Sequence, residues 1–93
     1  MNTTIQNSVI DEMKARLQVL QPEHLEILDE SALHAGHAGA KSGGGHYQLT
    51  LISPAFGGQM SVARHRLIYE ALGDLFPSRI HALSITALAP GEL

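Results

Sequence analysis

The sequence predicts a single small α/β (α+β) domain, with a three-stranded mixed sheet and both helices packed on one face. Three observations lead there. Two segments carry apolar residues at helical spacing, three short segments carry strand patterning, and their order along the chain is α-β-β-α-β. With 93 residues and 44% hydrophobic content, the chain fits one domain spanning 1–93, with no room for a second core.

The first helix is expected over about residues 4–20. Ile5, Val9, Met13, Leu17 and Leu20 recur at spacings of three and four, while Asp11, Glu12, Lys14 and Arg16 lie off that stripe. Thr3 or Thr4 is placed to cap its start, and Pro22 marks its end. Leu25 to Glu30 follows as a short strand with partial alternation. Ala32 to Gly45 contains Gly36, Gly39, Gly43, Gly44 and Gly45 and fits neither helix nor half-buried strand. Glycine loses the most conformational freedom on ordering, so a mobile loop is expected, long enough to be functional.

His46 to Ser53 reads as the second strand. Tyr47, Leu49 and Leu51 fall on one face and His46, Gln48 and Thr50 on the other, with Ile52 breaking the polarity. The first two strands are expected to form an antiparallel hairpin around the glycine loop. Pro54 and Gly57-Gly58 break the chain, and Ser61 reads as the N-cap of a second helix. Its expected stripe is His65, Ile68, Tyr69, Leu72, Leu75 and Phe76, ending at Pro77. Ile80 to Ala87 is the third strand, and Pro90-Gly91 begins a tail. The step from strand two through the helix to strand three is a crossover, which predicts parallel or mixed pairing with right-handed sense. Two apolar stripes need one shared core, so both helices belong on one face.

Composition excludes several classes of function. The formal charge is -3 and aromatics make up 4%, so no basic surplus suits a protein held mainly by phosphates. There is no cysteine, which rules out disulfides, thiolate nucleophiles and thiolate metal ligands from this chain. No signal peptide and no membrane-length apolar run are visible, so a cytoplasmic location is expected. Enzyme motifs are missing too. There is no Gly-x-Ser-x-Gly elbow, no P-loop and no dinucleotide fingerprint. Gly43-Gly44-Gly45 leads into a strand rather than a helix, so it forms no helix-terminus phosphate cradle. Asp29 and Glu30 are adjacent on a strand and point to opposite faces, which makes them no acid–base pair. A non-enzymatic role is expected.

The unusual feature is histidine: His24, His34, His37, His46, His65 and His81. His65, between Arg64 and Arg66, reads as a core-edge residue bonded to backbone. His24 reads as exposed and inert. His46 stands at the base of the loop, where structure and ligation compete. His34 and His37 form a His-x-x-His pair that can chelate zinc or iron if the backbone curls. His81 opens the third strand. A stand-alone zinc site using His34, His37 and His46 is one reading of this set.

Several blocks in order resemble the BolA-like family. They are Leu25-Glu26-Ile27-Leu28-Asp29-Glu30-Ser31, His46-Tyr47, Ile52-Ser53-Pro54-Ala55-Phe56-Gly57-Gly58, Arg64-His65-Arg66-Leu67-Ile68-Tyr69 and Ile80-His81-Ala82-Leu83-Ser84-Ile85. The match runs from about residue 5 to 92, and the Arg-His-Arg and His-Ala-Leu blocks are its specific part. The resemblance implies a fold like the type II KH domain. It also implies a heterodimer with a monothiol glutaredoxin that shares a [2Fe–2S] cluster, with glutaredoxin and glutathione supplying thiolates and this chain supplying histidine. His81 matches the ligand on the last strand. His34 best matches the loop ligand, with His37 close behind, and the choice among His34, His37 and His46 stays open. Arg64, Arg66, Phe56 and Gly57 are the implied contact residues for a partner or nucleic acid.

The implied role is iron–sulfur cluster trafficking or iron and redox regulation, and the alternative is a DNA-binding transcriptional regulator of morphology or stress response. Imidazole in place of thiolate lowers the negative charge on the irons and raises the potential, as Rieske centres illustrate. It also makes ligation pH-sensitive, because imidazolium binds no metal. Labile, shared coordination is expected. DNA recognition by a KH-type loop would use a Gly-x-x-Gly flanked by basic residues. Phe56-Gly57-Gly58-Gln59 has adjacent glycines and no flanking lysine, and the candidate basic patch is Arg64 and Arg66 with Lys41 and Arg79.

Overall fold

A computed structural model describes residues 5–30 and 45–92. Helix α1 (Ile5–Leu17) continues into a 3₁₀ turn (Gln18–Leu20), followed by β1 (His24–Asp29) and β2 (Gly45–Ile52). After a 3₁₀ turn (Pro54–Phe56) come α2 (Ser61–Leu72), the single turn α3 (Leu75–Ser78) and β3 (Ile80–Leu88). The expected order α-β-β-α-β is therefore present, with α3 as an added turn. The Thr3 and Thr4 caps and residues 32–44 of the expected glycine loop lie outside the described residues, while Gly45, expected to close that loop, is the first residue of β2.

The sheet order is β1-β2-β3. β1 runs antiparallel to β2, with Leu25 opposite Leu51 and Ile27 opposite Leu49. β3 runs parallel to β2, with Leu83 opposite Tyr47 and Ile85 opposite Leu49. Successive strand side chains point to opposite faces, so these residues share the inner face. Tyr47, Leu49 and Leu51 are buried there, as the alternation predicted.

Helix α1 meets this face with Val9, Met13 and Leu17, and Leu20 of the 3₁₀ turn closes that end of the core. Gln21 stops the segment. Its left-handed backbone (φ 53) lets its N–H donate to the Gln18 carbonyl, and Pro22 then prevents continuation. Helix α2 contributes Ile68 and Leu72, both fully buried. Of the expected stripe, Ile68, Leu72, Leu75 and Phe76 reach the core, while His65 and Tyr69 fall at its edge. Leu67 and Ala71 pack against the core, while Tyr69 is 38% exposed and His65 is only half-buried. Ile68 and Leu72 lie one turn apart and reach the core, with Leu67 and Ala71 packed beside them, which leaves Tyr69 and His65 toward the edge of the helix face. Ser61 is the first helical residue, and the N-cap position belongs to Met60, whose side chain makes no cap bond.

The end of α2 also differs. The helix stops at Gly73 (φ 59), whose N–H donates to the Tyr69 carbonyl. Glycine tolerates that backbone, which strains other residues. Pro77 sits inside α3, and Phe76 before it is extended (φ -112, ψ 123) because proline disfavours helical backbone at the preceding residue. Arg16 of α1 ties this corner together, donating from Nη1 to the Leu72 carbonyl at 2.7 Å and to Asp74 at 2.8 Å.

Candidate functional site

The histidines of β2 and β3 meet where the two strands begin. His46 alternates with the buried Tyr47 and so points to the face opposite the described helices, where its Nε2 is buried. β3 reaches the same place by an irregularity. Gly45 pairs with Ile80, but His46 pairs with Ala82, so His81 is an extra residue with no opposite number. A bulge in a parallel pair is rare, and its effect is to re-aim side chains. Strict alternation back from Leu83 would turn His81 inward and Ile80 outward. With the bulge, Ile80 is fully buried and His81 is exposed. The two imidazole centroids lie 5.0 Å apart, with the rings inclined at 44°.

The backbone under this pair depends on Gly45. A Cβ there would fall 2.5 Å from the Tyr47 ring and 2.6 Å from its hydroxyl, so the Tyr47 ring occupies the space a side chain would need. The Gly45 N–H donates to the Arg79 carbonyl at 3.2 Å, joining the two strand starts. The Tyr47 hydroxyl is held above its ordinary pKa, first by burial and then by the charge of Asp29 opposite it, with Arg79 opposing. Among the described residues, no group of three or more His, Cys, Asp or Glu could by itself hold a metal ion.

The opposite end of the molecule carries the Ser53-Pro54-Ala55-Phe56-Gly57 block. Ser53 is fully buried and joins three segments. Its hydroxyl donates to the Leu20 carbonyl and accepts from the Ala55 N–H, and its own N–H donates to the Leu88 carbonyl. Phe56 packs wholly inside the core. Above it, 6.0 Å from the ring centroid, lies the Arg64 guanidinium. Arg64 donates to the Gln59 and Ala87 carbonyls at 2.8 and 3.0 Å and makes a forked pair with Glu92 at 2.6 and 2.9 Å. That pairing holds the Glu92 carboxyl down at about 2.

The expected contact residues therefore divide. Phe56 offers no surface, and all three guanidinium nitrogens of Arg64 are already bonded within the fold. Arg66 and Gly57 are exposed. A forked Arg–carboxylate pair reads from sequence as two unrelated surface charges 28 residues apart, which is why Arg64 looked available. His65 is half-buried at the core edge as expected, but among the described residues no backbone group bonds its ring. It lines a shallow groove on α2 with Val62, Arg66, Tyr69 and Glu70. His24 is exposed as expected, with its Nε2 3.9 Å from Glu26. His34, His37 and Lys41 lie outside the described residues. The buried Ser53 junction and the Gly45–Tyr47 packing escaped the sequence reading. The Ser-Pro pair and the glycine before an aromatic strand were their only signals. Among the described residues, no helix is long and apolar enough to cross a membrane.

The family model for BolA-like protein matches residues 17–92. SufE-like protein 1, chloroplastic/mitochondrial, of Arabidopsis thaliana is 46% identical over 79 residues, covering 80% of this chain but only 21% of that protein. The DNA-binding transcriptional regulator BolA of Vibrio cholerae is 42% identical over 65 residues, covering 70% of this chain and 58% of that one. In three dimensions, the BolA domain of SufE1 from Arabidopsis thaliana matches with a TM-score of 0.76 at 42% identity, over 89% of this chain and 93% of that one. That fold is the mixed α+β arrangement described above, and this chain belongs to the BolA-like protein family.

Proposed function

We propose that this chain is a non-enzymatic partner of a monothiol glutaredoxin, with which it shares a [2Fe–2S] cluster in cluster trafficking or iron and redox regulation in the cytoplasm. The observation that carries this reading is His81, which a bulge turns out of the core onto the sheet face opposite the described helices, beside His46. The donor set fits the group. Imidazole suits iron, and a chain without cysteine leaves the thiolates to glutaredoxin and glutathione. His81 is the strand-anchored ligand. The family resemblance assigns the second to the loop, at His34 or His37.

The test is to reconstitute the cluster in the glutaredoxin complex and follow visible absorption and circular dichroism. His81→Ala is expected to abolish the histidine-dependent bands and shorten the cluster lifetime. An unchanged spectrum and lifetime would overturn the assignment.

A second reading, DNA binding, is favoured by one observation, the kinship to the Vibrio cholerae protein named for that activity. Arg66 and Arg79 are exposed and could meet phosphates, but Arg64 is committed internally and the net charge is -3. Binding that weakens steeply with salt and is further reduced in Arg66→Ala would support it. No binding at low salt would end it.

A further inference from the structure

We propose that the outer edge of β3 is an interface between two copies of this chain, which pair there antiparallel about a two-fold axis at Ser84 and join their sheets into one.

Among the described residues, neither edge of the sheet has a neighbouring strand, yet the two edges are built differently. An edge strand presents unpaired N–H and C=O groups, and proteins ordinarily guard it with charge, proline, a bulge or short length. β1 is short, at 6 residues, and carries Glu26 and Asp29. β3 runs for 9 residues and contains no Asp, Glu, Lys, Arg or Pro. It is guarded only at its ends. The bulge at His81 interrupts one end, and at the other the Arg64 guanidinium donates to the Ala87 carbonyl.

The stretch between is open, and its backbone direction follows from the pairing. The Ser53 N–H donates to the Leu88 carbonyl, so Leu88 turns its backbone groups toward β2. Direction alternates along a strand. Thr86 and Ser84 therefore also face β2, while Leu83 and Ile85 turn N–H and C=O outward. In an antiparallel pair centred on Ser84, Leu83 of one copy lies opposite Ile85 of the other, and the two exchange both bonds. Ser84 then meets Ser84 of the second copy as a close, non-hydrogen-bonded pair, where small hydroxyl side chains suit each other. Ser84 is exposed, and Leu83 and Ile85 are only half-buried, so apolar surface remains at this edge for the second copy to cover.

The occupant is a second β3 because the other edge of the sheet does not fit. β1 of another copy would bring Glu26 and Asp29 to an edge that offers them no opposite charge. A head-to-tail contact of β1 with β3 also fails to close and would run on into a filament. β3 against β3 is self-complementary, sets no like charges face to face and closes as a dimer. One strand pair buries less than the roughly 1,200 Å² of a standard interface, so association is weak, with a dissociation constant of about 0.1–1 mM.

The experiment is sedimentation equilibrium of the full chain from about 20 μM to about 2 mM, with amide spectra over the same range. The average mass should rise toward the dimer. The amide resonances of Leu83 and Ile85 should shift with concentration, and those of Ile27 and Leu28 should not. Ser84→Lys sets two like charges against each other at the axis and should weaken association by at least about tenfold. Its amide spectrum checks that the fold is kept. Equal amounts of Ser84→Lys and Ser84→Glu should restore the dimer, because residue 84 meets only residue 84. A parent that stays monomeric at about 2 mM overturns the proposal and leaves the edge to an extended segment of another protein. Association that survives Ser84→Lys, or that shifts Val62 and Tyr69 in place of Leu83 and Ile85, overturns it in favour of the α2 groove. Loss in Ser84→Lys without rescue by the mixture overturns the axis at Ser84.

Discussion

The imidazoles of His46 and His81 face each other at 5.0 Å because one extra residue in β3 breaks the parity of a parallel strand pair. Ile80 and Leu83 both reach the core only because the bulge absorbs a residue between them. The exposed histidine and the buried isoleucine are therefore two results of the same backbone event.

Gly45→Ala should disturb that event. The added methyl would overlap the Tyr47 ring, which is itself buried and has little room to retreat. Overpacking of this kind costs about 1–3 kcal/mol. Urea unfolding followed by circular dichroism should show the loss, and the His81 imidazole resonances should shift even where the protein remains folded. Unchanged stability and resonances would mean that the ring moves aside freely.

Ser53→Ala removes a hydroxyl that serves the Leu20 carbonyl and the Ala55 N–H inside the fold. Leaving buried polar groups unsatisfied costs about 1–3 kcal/mol. The urea midpoint should fall with an unchanged slope, since neither end state changes its exposed surface. A variant as stable as the parent would show that water takes over these bonds.

Acid should release the Arg64–Glu92 fork. The Glu92 carboxyl is held at about 2 in the folded protein, below its ordinary 4.5, chiefly by the Arg64 bonds and then by the Ala89 N–H. A depressed folded pKa means that the stabilisation is full above 4.5 and fades as pH falls toward 2. Glu92→Gln should lower stability at neutral pH and flatten this part of the acid limb. Melting curves between these limits check it, and parallel curves for parent and variant would remove the role.

Leu49 and Val62 test which apolar residues hold the domain. Leu49 is fully buried and Val62 is 70% exposed. Leu49→Ala should cost about 2–5 kcal/mol, a large share of the roughly 5–15 kcal/mol that stabilises a typical domain. Val62→Ser should stay within about 0.5 kcal/mol. Equal effects in denaturant titrations would contradict the packing described.

The elements were legible because local patterns encode them. The Val9, Met13, Leu17 stripe and the Tyr47, Leu49, Leu51 alternation each report one buried face, and burial imposes the period. Pairing followed from connection lengths: a hairpin gives antiparallel strands and a helical crossover gives parallel ones. The packing of Leu67 and Ala71 beside the core was not legible. His65 and Tyr69 suit a core edge as well as Leu67 and Ala71 do, and only the shape of the opposing sheet chooses between them.

By itself the sequence determined the order of elements, the inward faces of β2 and α1, the family, and the fact that this chain can offer imidazole but no sulfur. Tertiary structure decided the rest. It committed Arg64 to Glu92 across 28 residues and buried Ser53 at a three-way junction. It also placed His46 beside His81 across 35 positions of sequence through a bulge. These are relations between distant residues, and a local pattern carries no information about which of two faces a bulged residue will take. That choice is made by the core, which needs Ile80 inside and so turns His81 out.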